Sequence, residues 1–162
     1  MINFLFKTLA GKVLTTFLIS MVPIIELRGA IPMGAALDIP FYINYVVCVI
    51  GNMIPVPFIL LFIRQILHWM KKVPKLAKIA IWVESKAEKN KAKVLKYATF
   101  GLYVFVALPL PGTGAWTGAL VAAMLDMRMK KSIPAILFGV MTAGVIMSLA
   151  SYGAIGFLKF LL

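Results

Sequence analysis

The chain has 162 residues, 62% of them hydrophobic, and a mean hydropathy of +0.99, so lipid is its main solvent and a soluble globular class is excluded. A membrane-crossing helix uses about 20 residues, so the length admits about four membrane segments in one domain, residues 1–162, and no separate soluble domain. Seventeen Lys and Arg against five Asp and Glu give a net charge of +12; in so apolar a chain that excess answers to the positive-inside rule and to anionic headgroups, and no nucleic-acid partner is expected.

In chain order, "MINFLFKTLAGKVL" carries Lys7 and Lys12 but no short apolar core with a small-residue cleavage site, and is expected to be mature sequence. Four apolar stretches follow, at 13–37, 41–67, 98–125 and 133–162. The second and fourth are long enough to cross a bilayer as single helices. The first is interrupted by Pro23, followed by Glu26, Arg28, Gly29 and Pro32, and the third by "PLPGTG", with Pro109, Pro111, Gly112 and Gly114. Proline removes an amide and clashes with the preceding turn, and glycine weakens a helix by about 1 kcal/mol, so both stretches should break into half-helices. Irregular backbone at membrane depth survives only where protein or water covers it, so each tip should be internal.

Between the halves lies a basic connector, 68–96. Its apolar positions Leu76, Ile79, Ala80, Val83 and Ala87 fall at helical spacing with lysines opposite, the pattern of an amphipathic helix on the cytoplasmic membrane surface that attracts anionic headgroups. The later cluster Arg128, Lys130 and Lys131 returns to the cytoplasm only if the third stretch is a re-entrant hairpin rather than a crossing. The expected fold class is therefore an all-α integral membrane protein: an inverted repeat, 1–67 and 97–162, of two re-entrant hairpins each followed by a spanning helix. A plain four-span bundle is the competing arrangement; it keeps Lys7 and Lys12 inside but misplaces the three cations near 130. Gly29-Ala30 and Gly34-Ala35 parallel Gly114-Ala115 and Gly118-Ala119, Leu37-Asp38 parallels Leu125-Asp126, and Pro40 parallels Pro134.

The chemistry concentrates at the two breaks. A charge at the bilayer centre costs about 2.5–3.5 kcal/mol on insertion scales, so Glu26 and Arg28 in one tip call for a reason. Burial and a nearby guanidinium act in opposite senses on a carboxyl group, which allows Glu26 to load and unload a proton near neutrality; the bland alternative is a buried clamp that fixes the hairpin. At the second tip Thr113 is expected to cap the half-helix starting near Gly114, with Gly112 and Gly114 letting backbone amides approach a ligand and Trp116 and Thr117 forming walls. Helix N-termini meeting there beside Arg28 and Gly29 would favour an anion such as phosphate or a phosphorylated headgroup, although "GAWTG" is equally a helix-packing pattern. Asn52, with Pro55 and Pro57, loosens the second stretch and could complete the cavity.

Gly144, Ser148 and Gly156 suggest a close-packing face, including one between protomers. Asp38 and Asp126 read as solvated or capping groups, and His68 and Trp69 as headgroup-level residues. One histidine, one cysteine (Cys48) and five acids leave no intramolecular disulfide, metal site, cofactor motif or hydrolytic arrangement, so no enzyme is expected.

"PIIELRGAIPMG" and "PLPGTGAWTGAL" together resemble the signature pair of the small multi-drug export family, which is similar in architecture to the DedA or VTT superfamily. The resemblance covers nearly the whole chain and implies re-entrant hairpins in inverted repeat and a transport role, with DedA-like relatives associated with proton-dependent translocation of undecaprenyl phosphate. It maps the charged motif to Glu26 and Arg28 and the second motif to Pro109, Pro111, Gly112, Thr113 and Gly114. The chain departs from DedA in being shorter and in lacking an arginine-rich "FxRFxPxxR" counterpart. The expected function is a small transporter of the plasma membrane, proton-coupled through Glu26 and moving a small or lipid-linked anion, working as a homodimer; the alternative is a structural or assembly protein that organises lipid without transport.

Overall fold

The computed structural model describes residues 8–73, 76–82, 84–85, 98–110, 112–125 and 127–161, and every regular element among them is helical. Helix α1 (Leu9–Met21) opens on Thr8, whose hydroxyl accepts the Gly11 N–H at 3.1 Å, and closes on Val22 in extended conformation. Helix α2 (Glu26–Ala36) follows a turn at 22–25. At about 1.5 Å per residue the two measure about 20 and 16 Å, short of the roughly 30 Å hydrocarbon layer. Lys12 Nζ donates to Leu37 O at 2.8 Å, so the start of α1 lies beside the end of α2 and the pair forms an antiparallel hairpin.

The stretch expected as one helix over 41–67 is two, α3 (Phe41–Met53) and α4 (Pro55–Lys72), separated at Ile54 just before a proline that has no amide to donate. Together they still provide the apolar span Phe41–Ile63, 23 residues with hydropathy 2.5. Helices α5 (Ala98–Ala107) and α6 (Ala115–Met124) flank the second break, and α7 (Met129–Leu161) contains the 26-residue span Met129–Ala154. Pro134 is accommodated in the first turns of α7.

Two compact units divide the chain, and they do not follow chain order: Met1–Ile54 with Val140–Leu162, and Pro55–Gly139. In the first, α1 packs on both α2 and α3 and α2 packs on α3. Gly51 makes the α1–α3 approach possible, because a Cβ there would collide with Ser20 and come within 2.8 Å of Phe17 O. Gly34 likewise leaves room for the Asn44 amide, which donates to Ile31 O at 2.9 Å and to Tyr152 Oη at 3.0 Å. Tyr152 in turn donates to Ile39 O at 2.7 Å, so this polar link ties α2, α3 and the C-terminal part of α7 together. Buried Thr16 and Ser20 satisfy their hydroxyls on carbonyls of their own helix. Gly144, expected on a close-packing face, is packed against the Tyr45 ring inside this unit, whereas a Cβ at Gly156 would meet nothing within 4 Å.

In the second unit α6 packs on α4 and α5. Leu102, Val106, Val56, Val121 and Ile136 form its buried core, with Gly118 and Gly139 both seated on Val106. Of the connector, Val83 and Ala87 lie outside the described residues; Ala80 is buried, Ile79, Ile81 and Trp82 are exposed, and Glu84 pairs with Lys71 at 2.6 Å. Phe58, Phe62, Leu18 and Leu149 are about half exposed or more, as lipid-facing side chains are.

The hairpins share a backbone plan. Positive φ occurs at Ile24 (80°) and Glu26 (51°) in the first, and at Gly112 (83°) and Gly114 (131°) in the second. Leu37 (φ −85°, ψ 7°) and Leu125 (φ −89°, ψ 6°) end the two inner helices in the same conformation, each donating to the carbonyl four residues back. The paired positions 24 and 112, 26 and 114, and 37 and 125 all stand 88 residues apart. Ile39 N to Gly34 O and Met127 N to Ala122 O, both 3.0 Å, repeat the same closing bond, with Asp38 in left-handed conformation (φ 56°) as the helix stop. This spacing pairs Gly118 with Ala30, not with Gly34 as the Gly-Ala matches in the sequence would have it.

Candidate functional site in the first hairpin turn

The turn 22–25 arises because Pro23 cannot continue α1, and Glu26 N donates to Val22 O at 3.0 Å to close it. The carboxylate of Glu26 begins there and is driven inward: the residue is 3% exposed, whereas Ile24 is 85% exposed. Both hold left-handed backbone, which costs a non-glycine residue about 1–3 kcal/mol and is a clear outlier for β-branched Ile24. Arg28, two residues on in α2, is half-buried.

Asn52 reaches the same level from α3. Helix α3 starts beside the end of α2, with Asn44 on Ile31 and Gly34, and passes α1 at Gly51, beside Ser20 and Phe17 just before the turn. Eight residues on from Asn44, Asn52 therefore stands level with the turn. It is fully buried, and neither its amide nitrogen nor its amide oxygen finds a hydrogen-bond partner among the described residues. Such a group costs roughly 1–3 kcal/mol unless something else binds it. The first unit thus holds a strained, buried carboxylate on one segment and a buried, unsatisfied amide on another.

The other expected site residues are distributed as follows. Gly29 lies on α2, where a Cβ would meet only the Ile25 side chain, so nothing there demands close ligand approach. Pro23 sits in the turn. Pro32, expected at a break, lies inside α2; it has no N–H to donate but does not interrupt the helix. Glu26, Arg28, Gly29 and Asn52 belong to the first unit; Gly112, Thr113, Gly114, Trp116 and Thr117 belong to the second. Pro111 and Asp126 lie outside the described residues.

At the second break, Pro109 occupies the non-helical segment and Gly112 and Gly114 make the turn. Thr113 does not cap α6: its hydroxyl donates backward to Leu108 O at 2.7 Å and Leu110 O at 2.9 Å, and Gly114 stands at the N-cap without a side-chain bond. Trp116 and Thr117 are half-buried on the first turn of α6. A cavity of about 320 Å³ opens beside this turn, lined by Phe100, Val104, Phe105, Leu108, Leu110 and Thr113. Its wall is apolar, so the polar character expected at both tips is concentrated at the first.

Sequence reasoning missed Asn44 and Tyr152, and it missed the left-handed conformation of Glu26. Asn44, Cys48 and Asn52 recur every four residues along one side of an apolar helix, and Cys48 Sγ lies 3.4 Å from Asn44 Oδ1; that spacing was the available signal. No curated protein and no solved structure matches the chain. The sequence pattern of the family described as "Putative small multi-drug export protein" matches residues 26–146, from the buried Glu26 just after the first break, through the second break and into α7. With that match and two helical spans long and apolar enough to cross a membrane, the chain belongs to this family of small membrane export proteins.

Proposed function

We propose that the protein is a proton-coupled secondary transporter in which Glu26 carries the proton and Arg28, with Asn52, seats a small or lipid-linked anionic substrate. The observation that carries this reading is the conformation of Glu26. Its structural counterpart 88 residues on is Gly114, which suits positive φ without cost. A buried carboxylate kept at a position that favours glycine is costly to stability, and such strain clusters where function requires it.

Lys71 and Lys72 end the helix carrying the first span, and Lys130 and Lys131 open the second. The positive-inside rule then puts both of those ends, and the 68–96 connector, in the cytoplasm. The Phe41 and Tyr152 ends face outward, and the first hairpin opens from the outer side as a re-entrant element, with the second inverted relative to it. Lys12, an outward lysine on this arrangement, is used in holding Leu37 O. The shared positive-φ plan supports an internal repeat; its inverted arrangement and a distant kinship with the DedA or VTT architecture belong to the same proposal. The exposed apolar residues of both turns, Ile24, Leu108 and Leu110, support a homodimer, since irregular backbone within a membrane needs a protein cover.

Purified protein in liposomes with an internal pH dye tests this directly. Substrate-dependent proton flux in the wild type and none in Glu26→Gln, with the variant folded, is the expected result. Wild-type liposomes that stay silent across phosphates, lipid phosphates and hydrophobic cations would instead favour a lipid-organising protein.

A further inference from the structure

A second cavity, of about 440 Å³, lies in the first unit away from the hairpin turn, between α3 and the C-terminal part of α7. Phe41, Tyr45, Ser148, Leu149, Tyr152 and Gly153 line it. Its volume falls in the range of sites that enclose one ligand. Its wall is almost wholly apolar, with one exception that nothing in the fold explains: Ser148 is 3% exposed and its hydroxyl has no hydrogen-bond partner among the described residues. A serine in mid-helix ordinarily returns its hydroxyl to a carbonyl of the preceding turn, as Thr16 and Ser20 do.

The level of the cavity in the membrane follows from its aromatic rim. Phe41 and Tyr152 meet edge to face, ring centroids 6.1 Å apart, at the start of one apolar span and near the end of the other. Aromatic and tyrosine side chains collect at that headgroup boundary. Ser148 lies four residues, about 6 Å, farther into the span than Tyr152, the depth at which phospholipid acyl esters begin. Phe41 is 55% and Leu149 72% exposed, so the groove is flanked by side chains that face the bilayer and is entered sideways from it.

We propose that this groove is a phospholipid site: one acyl chain lies against Phe41, Leu149 and Gly153, and its ester carbonyl accepts the Ser148 hydroxyl. The site needs only a membrane location and is independent of the transport reading. It gives the unsatisfied hydroxyl an acceptor and fills an apolar space that water would not favour.

Gly153 and Gly156 offer a matched pair of probes, because a Cβ at either meets nothing within 4 Å and only Gly153 lines the groove. Native mass spectrometry of full-length protein, extracted in mild detergent and supplied with diester phosphatidylglycerol, reads retained lipid per chain. The wild type and Gly156→Phe should retain one lipid, and Gly153→Phe should lose it. Ser148→Ala should bind the diester about two- to tenfold more weakly and abolish the preference of the wild type for the diester over the diether analogue, which lacks the carbonyl. Equal retention by Gly153→Phe and Gly156→Phe, or no ester preference in the wild type, overturns the proposal. So does a wild type that carries no lipid but is a dimer that Gly153→Phe converts to monomer, which would make the groove a contact between copies. Lipid retention is measured without flux, so loss of transport in Glu26→Gln and loss of lipid in Gly153→Phe fail separately.

Discussion

The two hairpin turns solve one geometric problem with different residues. Both place left-handed backbone at the first and third positions of a turn, and both end their inner helix 11 residues after the second of these, at Leu37 and Leu125. The second turn uses Gly112 and Gly114, which accept positive φ freely, and the cavity beside it is apolar. The first uses Ile24 and Glu26, which do not, and the unit that contains it also holds Arg28 and the buried, unsatisfied Asn52. One turn is relaxed and the other is strained, and the strained turn holds the charges. Strain together with buried charge is what the proposed transport role of the first turn rests on.

Substitutions test that contrast, beginning with the largest effect. Glu26→Gln keeps the shape of the side chain and removes its charge; proton flux in liposomes should fall on the order of 100-fold, the typical contribution of a positioned proton-transfer group, while thermal unfolding in detergent shifts by less than about 1 kcal/mol. If Glu26 were only a clamp on Arg28, the same variant would lose roughly 3–5 kcal/mol, the cost of stranding one member of a buried pair, and the two readouts separate the cases.

Gly114→Ala probes the relaxed turn. At φ 131° and ψ −175° only glycine is comfortable, so the variant should be destabilised by about 1–3 kcal/mol. A neutral result would mean the turn is not held in that conformation. Tyr152→Phe removes the donor to Ile39 O and the acceptor of Asn44 Nδ2; a loss of roughly 1–3 kcal/mol is expected from the groups left unpaired, read by urea or thermal unfolding, with flux per folded molecule preserved. The smallest effect belongs to Ile24→Gly, which relieves left-handed strain at an exposed position. It should raise stability by up to about 1 kcal/mol and leave transport intact; a drop in stability would show that the first turn is not strained and remove the basis for the contrast.

Composition and punctuation were enough to recover much of this protein. The apolar excess fixed a membrane solvent, and Pro23 and "PLPGTG" marked both breaks, because proline and glycine act through local sterics that need no partner. Leu37-Asp38 and Leu125-Asp126 were legible as equivalent ends, since helix stops depend on a few neighbouring residues. Pro32 misled for the complementary reason: α2 continues through it, and whether a proline ends a helix depends on more than its own neighbours in the chain. The Gly-Ala matches set the wrong spacing because small residues recur by chance in apolar helices, whereas backbone conformation aligns the turns at 88.

The charge pair Glu26 and Arg28 and its position at a break belong to the sequence by itself, as do the two long spans and the basic connector. Only tertiary structure decided that Glu26 adopts left-handed backbone, that Thr113 turns its hydroxyl away from α6, and that Asn44 binds Ile31 and Tyr152 while Asn52 and Ser148 stay unsatisfied. The division has one cause. Hydropathy and proline chemistry are properties of a residue and its neighbours in the chain, while strain, orientation and hydrogen-bond satisfaction depend on what other segments bring to the same point in space.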